Sequence, residues 1–301
     1  MTNGTSTPAV WDSLSGHPAS TLMSIDDFAP FVDGLDHPEG VAAGPDGEIY
    51  AGGEAGQIYR VQFDGAFDQI GTTGGFTLGL CLDADRNVYS CDSGHRAVMR
   101  TTPTGEVTTY ATGTADRKII TPNYPVFDAD GNLYISDSGT AKHDTGGLFR
   151  IRPGGETELI TETPWRFPNG LALHPEGTHL YVVLSEFPGV VRVALKADGG
   201  IGEPETVVKL PHNVPDGLAF DEDRNLYVSC YTPDVIYRVT PAGEVAVLAS
   251  DWESVTFATP TNIAFCGPER RTLVVASLSR WHLTKGEMSV AGARLNYPKI
   301  S

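Results

Sequence analysis

Residues 215–230, PDGLAFDEDRNLYVSC, contain the repeating unit that decides the fold. In this unit a polar residue precedes a short apolar run, and a turn rich in acidic residues leads into a second run with an aliphatic residue and a tyrosine. Short runs separated by tight turns are typical of consecutive β-strands. Five further copies are PEGVAAGPDGEIYAGG (38–53), TLGLCLDADRNVYSCD (77–92), PNYPVFDADGNLYISD (122–137), PNGLALHPEGTHLYVV (168–183) and TNIAFCGPERRTLVVA (261–276).

One polar position of the unit is equivalent in all six copies and keeps a constant register. It is occupied by Glu39, Leu78, Asn123, Asn169, Asp216 and Asn262, and we call this set the ring residues. Successive members are 39, 45, 46, 47 and 46 residues apart. A period of this length, composed of strands and turns without a 3.6-residue apolar pattern, is typical of propeller blades. The sequence therefore predicts an all-β fold, a six-bladed β-propeller with four-stranded antiparallel blades.

The repeats also predict how the chain is divided and how the propeller closes. Residues 1–24 are expected to form an N-terminal tail or cap, and residues 25–301 the propeller. A closed ring leaves no exposed edge strand. We therefore expect FAPFVDG (28–34) to form a strand beside a C-terminal hairpin at about 286–299.

Composition excludes several classes of function. The formal net charge of −17 argues against nucleic acid or an anionic membrane surface as a partner, because both require a basic patch. Residues 1–20 lack the basic and apolar regions of a signal peptide, and no apolar run is long enough to span a membrane. Four cysteines without metal-type spacing are expected to be reduced thiols. We predict a cytoplasmic protein, either a monomer or a small homo-oligomer.

The ring residues point to a metal site. The first strands of all blades run in the same direction along the central channel, so equivalent residues face the axis at one height. Five of the six ring residues carry side-chain oxygens, and two of these are carboxylates whose convergence would be costly without a cation. Carboxylate and amide oxygens without cysteine or histidine favour Ca²⁺ or Mg²⁺, and a wide ring favours Ca²⁺. Mg²⁺, Mn²⁺ and Zn²⁺ remain alternatives.

The sequence around four of these residues resembles the regucalcin/gluconolactonase family of six-bladed propellers, also known as the senescence-marker-protein family. The resemblance is carried by HPEGVA with Glu39, TPNYPVFDADGNLY with Asn123, FPNGLALHPEG with Asn169 and VPDGLAFDEDRNLYV with Asp216. It implies that Glu39, Asn169 and Asp216 bind the metal and that Asn123 is a ligand or lies close to the substrate. It also implies a metal-dependent lactonase in which the metal polarises the carbonyl and Asp216 is the favoured general base, with direct attack by Asp216 as the other possibility.

The substrate is expected to be a small, rather apolar lactone or ester. Sugar-lactone members of the family commonly have arginine and aspartate where this chain has Thr121 and Tyr124. Aromatic residues are frequent in the loops expected at the channel mouth, which suits an apolar ligand. The predicted substrate-binding residues are Asn123, Tyr124, Trp165, Phe187, Tyr231, Trp281, His282 and Asn262. His282 and His143 are candidates for a second proton carrier.

Other signals are interpreted as structural. DADRN (83–87), DADGN (128–132) and DEDRN (221–225) resemble the start of an EF-hand loop but lack its later glutamate, so we predict hairpin turns. Arginines at 60, 100, 150, 192 and 238 recur in the predicted third strands and are expected to be structural.

Two alternatives to a lactonase remain open. A phosphotriesterase or organofluorophosphatase could use the same cation site. A non-catalytic, metal-free binding propeller similar to strictosidine synthase would not need the ring of oxygens.

Overall fold

The computed structural model describes residues 21–161, 164–197 and 199–300, in which 24 strands form six four-stranded antiparallel sheets. This confirms the predicted six-bladed β-propeller. Apart from a 3-10 turn at Ile25–Asp27, the chain first enters the propeller through β1 (Phe28–Asp33). Of the predicted N-terminal tail or cap, residues 1–20 lie outside the described residues.

The first three blades each use four consecutive strands. Blade 1 contains β2 (Val41–Ala43), β3 (Ile49–Gly52), β4 (Gln57–Val61) and β5 (Phe67–Thr72). Blade 2 contains β6 (Thr77–Leu82), β7 (Val88–Asp92), β8 (Ala97–Thr101) and β9 (Val107–Ala111). Blade 3 contains β10 (Pro122–Phe127), β11 (Leu133–Asp137), β12 (Gly147–Ile151) and β13 (Thr157–Leu159).

Blades 4 and 5 follow the same order, and blade 6 departs from it. Blade 4 contains β14 (Pro168–Leu173), β15 (His179–Leu184), β16 (Gly189–Ala194) and β17 (Glu205–Lys209). Blade 5 contains β18 (Val214–Phe220), β19 (Leu226–Thr232), β20 (Val235–Val239) and β21 (Val245–Ser250). Blade 6 contains β22 (Pro260–Cys266), β23 (Thr272–Ser277), β24 (His282–Glu287) and, as its outermost strand, β1.

Pairing of β1 with β24 closes the ring, so the predicted role of residues 28–34 is confirmed. The predicted C-terminal hairpin at about 286–299 is wrong. Strand β24 ends at Glu287, and residues 288–300 contain no strand. We call residues 288–300 the C-terminal strap. They cross the face opposite the ring residues, where they satisfy backbone groups of several blades instead of pairing with one another.

The strap makes hydrogen bonds with residues of five blades, including blade 2, where the backbone N–H of Ala84 donates to the carbonyl of Pro298. The backbone N–H of Ala293 donates to Phe220 in blade 5, and the amide of Asn296 donates to the carbonyl of Phe127 in blade 3. The hydroxyl of Tyr297 donates to the carbonyl of Ala43 in blade 1. Met288 bonds to blade 6 through the carbonyl of Arg271. The strap thus covers the far end of the channel.

The acidic turns are hairpin turns between the first and second strands, as predicted. In blade 5 the carboxylate of Asp221 accepts hydrogen bonds from the backbone and side chain of Asn225 and from the hydroxyl of Tyr227. Blade 2 repeats this arrangement around Asp83. The recurring Asp, Asn and Tyr therefore stabilise turns at the face opposite the ring. The recurring arginines lie on third strands and pair in register with second-strand tyrosines, for example Arg238 with Tyr227.

The apolar core lies between neighbouring blades. One cluster joins blade 4 side chains such as Val183 to blade 5 side chains such as Leu218 and Val228. Glycines beside the channel allow this close packing. A Cβ on Gly170 would lie 2.2 Å from the carbonyl oxygen of Asp216, so only glycine fits there. Among the described residues, no helix is long and apolar enough to cross a membrane.

Candidate functional site

The ring residues lie at one end of the channel, at or just before the start of each first strand. In five blades the pairing register between first and second strands shifts across the ring residue, for instance between Pro168 and Leu171 around Asn169. Such irregularities re-aim side chains locally. They turn the ring residues toward the axis even though the rest of each strand packs into apolar layers.

A cavity of about 290 Å³ opens above the ring residues. Its floor contains Glu39, Leu78, Asn123, Asn169 and Asp216. Asn262, the sixth ring residue, is completely buried beside Asp216. The remaining lining residues are Thr121, Phe167, Ser185, Val214, Tyr231, Thr261 and Leu278.

The asparagine amides of the ring are oriented with their oxygens free. The NH₂ group of Asn123 donates to Ser138 at 3.1 Å, and that of Asn169 donates to Ser185 at 3.2 Å. Asn262 donates to the carboxylate of Asp216 at 3.4 Å. The Oδ1 atoms of all three asparagines are buried and have no hydrogen-bond partner in the described structure. Leaving a buried acceptor without a donor is costly, so these oxygens require a positively charged or donating ligand.

Both carboxyl groups of the cavity floor have raised pKa values and therefore resist ionisation. Burial raises the pKa of Glu39 well above its usual range, and the charges of Asp216 and Glu54 raise it further. Burial raises the pKa of Asp216 to about 7, although a hydrogen bond from Asn169 acts in the opposite direction. Two buried carboxyl groups that resist ionisation side by side are stabilised by a cation between them.

The floor therefore fits a hard divalent cation. It combines two carboxylates with unpartnered amide oxygens, and no cysteine or histidine lines the described cavity. Oxygen-only donor sets are those of Ca²⁺ and Mg²⁺. The residues that could hold the ion are Glu39, Asn123, Asn169 and Asp216.

The cavity wall comes from two further sets of equivalent positions. Thr121, Phe167 and Val214 each lie two residues before a ring residue, and Ser185, Tyr231 and Leu278 lie 15 or 16 residues after one. Most of these side chains are apolar. Of the six, the sequence prediction included only Tyr231 among the substrate-binding residues, although the same repeat alignment could have found the others.

Four other predicted substrate-binding residues are not among those that line this cavity. Tyr124 is buried in the core between blades 3 and 4, and Trp165 packs at the edge of the same cluster. Phe187 is 60% exposed and lies under the guanidinium of Arg166. Trp281 is half-exposed, and its ring contacts that of His37 in a tilted arrangement, with the centroids 5.4 Å apart.

The two histidines considered as proton carriers do not line the cavity. His282 is buried, and its Nε2 lies 3.0 Å from the carbonyl oxygen of Thr256. His143 is exposed in the loop between β11 and β12. A third histidine, His37, was not considered, yet it forms a group with Asp36 and Glu54 whose ligand atoms lie within 4.8 Å of one another.

The fold and the site together define a six-bladed β-propeller with an oxygen-lined axial site. Residues 54–279 match the family described as SMP-30/Gluconolactonase/LRE-like region, and the protein belongs to this family. A shorter segment, residues 32–61, matches the N-terminal part of strictosidine synthase-like proteins.

Individual relatives are more distant. A gluconolactonase of Zymomonas mobilis subsp. mobilis is 29% identical over an alignment of 194 positions that covers 57% of this chain and 53% of that protein. The aligned region thus spans about half the length of that relative.

Among solved structures, a gluconolactonase from Xanthomonas campestris has a TM-score of 0.75 at 20% identity and covers 86% of this chain and 89% of its own. A calcium-binding protein, regucalcin, from Agrobacterium tumefaciens has a TM-score of 0.73 at 17% identity, with 94% and 99% coverage. At these identities the likeness concerns the fold.

Proposed function

We propose that this protein is a divalent-cation-dependent hydrolase that opens a small, rather apolar lactone or ester. The observation that carries the proposal is the meeting of two buried carboxylates and unpartnered amide oxygens at the floor of an otherwise apolar cavity. The family and its gluconolactonase relative support lactone hydrolysis as the reaction class.

Glu39, Asn123, Asn169 and Asp216 would hold the cation. We favour Ca²⁺ because the donors are all oxygens and the ring is wide, with Mg²⁺, Mn²⁺ and Zn²⁺ as alternatives. The likeness to a regucalcin described as calcium-binding supports this choice. When bound, the cation supplies positive charge that polarises a substrate carbonyl and offsets the carboxylates.

Asp216 is the proposed general base. Its carboxylate is oriented by the amides of Asn169 and Asn262, whose nitrogens lie 3.3 and 3.4 Å from its two oxygens. A carboxylate held in this way can accept a proton from water as the water attacks the carbonyl carbon, and can return that proton to the departing alkoxide oxygen when the acyl C–O bond breaks. The fixed orientation lowers the reorganisation needed when that proton moves.

The cavity wall supports an apolar substrate. Phe167, Val214, Tyr231 and Leu278 present apolar surface, and the described lining contains no lysine or arginine. A polyhydroxylated sugar lactone would leave many hydroxyls without partners against such a wall, which costs binding energy. An alkyl- or aryl-substituted lactone would bury its substituent there.

Hydrolysis assays with a panel of candidate substrates test the proposal. Purified protein is assayed with γ- and δ-lactones, aryl esters and paraoxon, in CaCl₂ and in EGTA. Cation-dependent turnover of apolar lactones is the expected result. Preferential turnover of paraoxon would support the phosphotriesterase alternative. No turnover, together with a melting temperature that is the same in EGTA as in Ca²⁺, Mg²⁺, Mn²⁺ or Zn²⁺, would contradict the proposal and favour a metal-free binding propeller.

The cytoplasmic location and the oligomeric state, monomer or small homo-oligomer, stay predictions. Size-exclusion chromatography with light scattering tests the oligomeric state.

A further inference from the structure

Behind two of the ring asparagines lies a pair of buried serines, Ser138 and Ser185. Each occupies the position directly after a second strand, β11 in blade 3 and β15 in blade 4. Ser138 is fully buried and Ser185 is 5% exposed. Neither residue follows from a recognised motif, and each contacts the side-chain amide of the ring residue of its own blade.

The hydrogen bonds of these serines have a fixed polarity. Ser138 Oγ lies 2.8 Å from the carbonyl oxygen of Pro168, and Ser185 Oγ lies 2.7 Å from that of Pro215. A carbonyl oxygen can only accept, so each hydroxyl must donate its single proton to the neighbouring blade. Only the lone pairs of the serine oxygen then remain to face the asparagine amide.

This polarity decides which end of each amide faces the cavity. A hydroxyl that has used its proton can only accept, so the NH₂ group of Asn123 or Asn169 must point toward its serine. The amide oxygen is then directed away from the serine, and both oxygens lack a partner in the described structure. For Asn169 a second constraint acts in the same sense, because its NH₂ group also donates to the carboxylate of Asp216.

We infer that Ser138 and Ser185 are positioning residues that lock the side-chain oxygens of Asn123 and Asn169 toward the cation site. The inference rests on the proposed function, because it concerns the cation of the same site. Without Ser138 the amide of Asn123 is free to rotate and to present NH₂ to the ion, which repels it. Without Ser185 the amide of Asn169 keeps only the hydrogen bond to Asp216, so its orientation is less strongly fixed. Partners of metal-binding residues typically contribute about 10- to 100-fold to metal affinity.

The other blades provide an internal comparison. Asp216 and Glu39 end in symmetric carboxylates that need no such orientation, and the equivalent positions in their blades are Tyr231 and Glu54. In blade 2 the ring residue is Leu78, and Ser93 contacts only the carbonyl of Phe76, at 3.4 Å. In blade 6 the amide of Asn262 donates to Asp216 and not to a serine. The serine–amide contact thus occurs at the two asparagines that line the cavity floor.

Two other buried serines join neighbouring blades without touching a ring side chain. Ser136 donates to the carbonyl of Asn169 at 2.6 Å and accepts from the backbone N–H of Tyr124. Ser229 donates to the carbonyl of Thr261 and accepts from the backbone N–H of Gly217. Substitution of Ser136 or Ser229 therefore removes a comparable inter-blade bond and leaves the ring amides in place.

Calcium titration by isothermal calorimetry tests the inference on the full chain. Ser138→Ala is expected to weaken Ca²⁺ binding by about 10- to 100-fold, and Ser185→Ala by about 10-fold because Asp216 still holds the amide of Asn169. The controls Ser136→Ala and Ser229→Ala should stay within about twofold of the wild type, even though all four variants lower the melting temperature in EGTA. Ser185→Thr keeps the hydroxyl and should retain affinity. Equal affinity losses in the test and control variants would overturn the inference.

A second variant separates orientation from general destabilisation. In Asn123→Asp the side chain ends in two equivalent oxygens, so its cation binding does not depend on a choice of end. Ser138→Ala is expected to weaken Ca²⁺ binding in the wild-type background and to leave it unchanged or stronger in the Asn123→Asp background. The same fold-loss in both backgrounds would contradict the positioning role. If the wild type binds none of Ca²⁺, Mg²⁺, Mn²⁺ and Zn²⁺, the proposed function itself fails.

Discussion

The amide of Asn169 donates to the carboxylate of Asp216 across the boundary between blades 4 and 5, with Nδ2 and Oδ2 3.3 Å apart. Asn262 contacts the other carboxylate oxygen from blade 6. Asp216 is thus held between two amides, while burial raises its pKa to about 7. A carboxylate oriented in this way by two amides is well placed to accept a proton from water.

Asp216→Asn is expected to abolish most lactone hydrolysis. The substitution keeps the shape of the side chain and an oxygen on the cavity floor but removes one of the two buried charges, so cation affinity should also fall and the rates are compared at saturating CaCl₂. Loss of general-base catalysis typically lowers the rate by about 10²- to 10⁴-fold. Steady-state kinetics with a substituted lactone measure this loss, and calorimetry measures the affinity. The control Asp68→Asn changes an exposed carboxylate bonded to Arg60 on the outermost strand of blade 1. Wild-type turnover in Asp216→Asn would rule out the proposed base.

The main expected effect of Glu39→Gln is weaker cation binding. Removing one of two buried charges weakens attraction for the ion, and it also removes the cost of a buried carboxylate in the cation-free protein. The variant should therefore melt at a higher temperature than the wild type in EGTA and gain less from CaCl₂. Scanning calorimetry at pH 8 measures both effects. A variant that gains as much as the wild type from CaCl₂ would show that Glu39 is not a ligand.

Cation stabilisation should increase with pH. The pKa values of Glu39 and Asp216 are both raised in the folded protein. A raised carboxyl pKa means that the neutral form favours folding, and this contribution is complete below the unfolded pKa of about 4 and is lost as pH rises through about 7. A bound cation offsets this loss of folding stability, because it stabilises the ionised carboxylates. The difference in melting temperature between CaCl₂ and EGTA should grow from pH 5 to pH 8, and a decreasing difference would contradict the site.

The apolar wall should govern substrate choice. Leu278→Asn introduces a polar group that has no partner in an apolar substituent, so kcat/KM for an alkyl-substituted δ-lactone should fall about tenfold relative to the unsubstituted ring. Leu295→Asn serves as the control, because Leu295 is half-exposed on the C-terminal strap at the opposite face. An equal fall in kcat/KM for both lactones would show that the alkyl substituent does not bind against Leu278.

The C-terminal strap should contribute stability without affecting the site. Tyr297→Ala removes packing beneath blades 1 and 2 together with the hydrogen bond to Ala43, and is expected to cost about 2–3 kcal/mol of unfolding free energy. Tyr297→Phe removes only the hydrogen bond, at about 1 kcal/mol. Urea denaturation in EGTA measures both. A changed Ca²⁺ affinity in either variant would show that the strap is coupled to the ring.

The repeat register predicted much of this structure. It identified six blades, the closing strand at 28–33 and the ring residues, because each blade must bury the same faces and turn at the same points. The strap was mistaken for a hairpin, since its partners lie in five different blades and its sequence carries no repeat. Tyr124 and His282 were assigned to the mouth because the repeats place a residue in a loop or at a strand end without giving the direction of its side chain.

The sequence alone determined the number of blades and which residues of the first strands meet at one end of the channel, because a constant period makes equivalent positions structurally equivalent. Only the tertiary structure decided which atom of each amide faces the cavity, which loop residues reach its wall and where the strap runs. These features depend on contacts between residues more than 25 positions apart, such as Ser138 with Pro168 and Asn169 with Asp216. No local pattern encodes the polarity of such contacts.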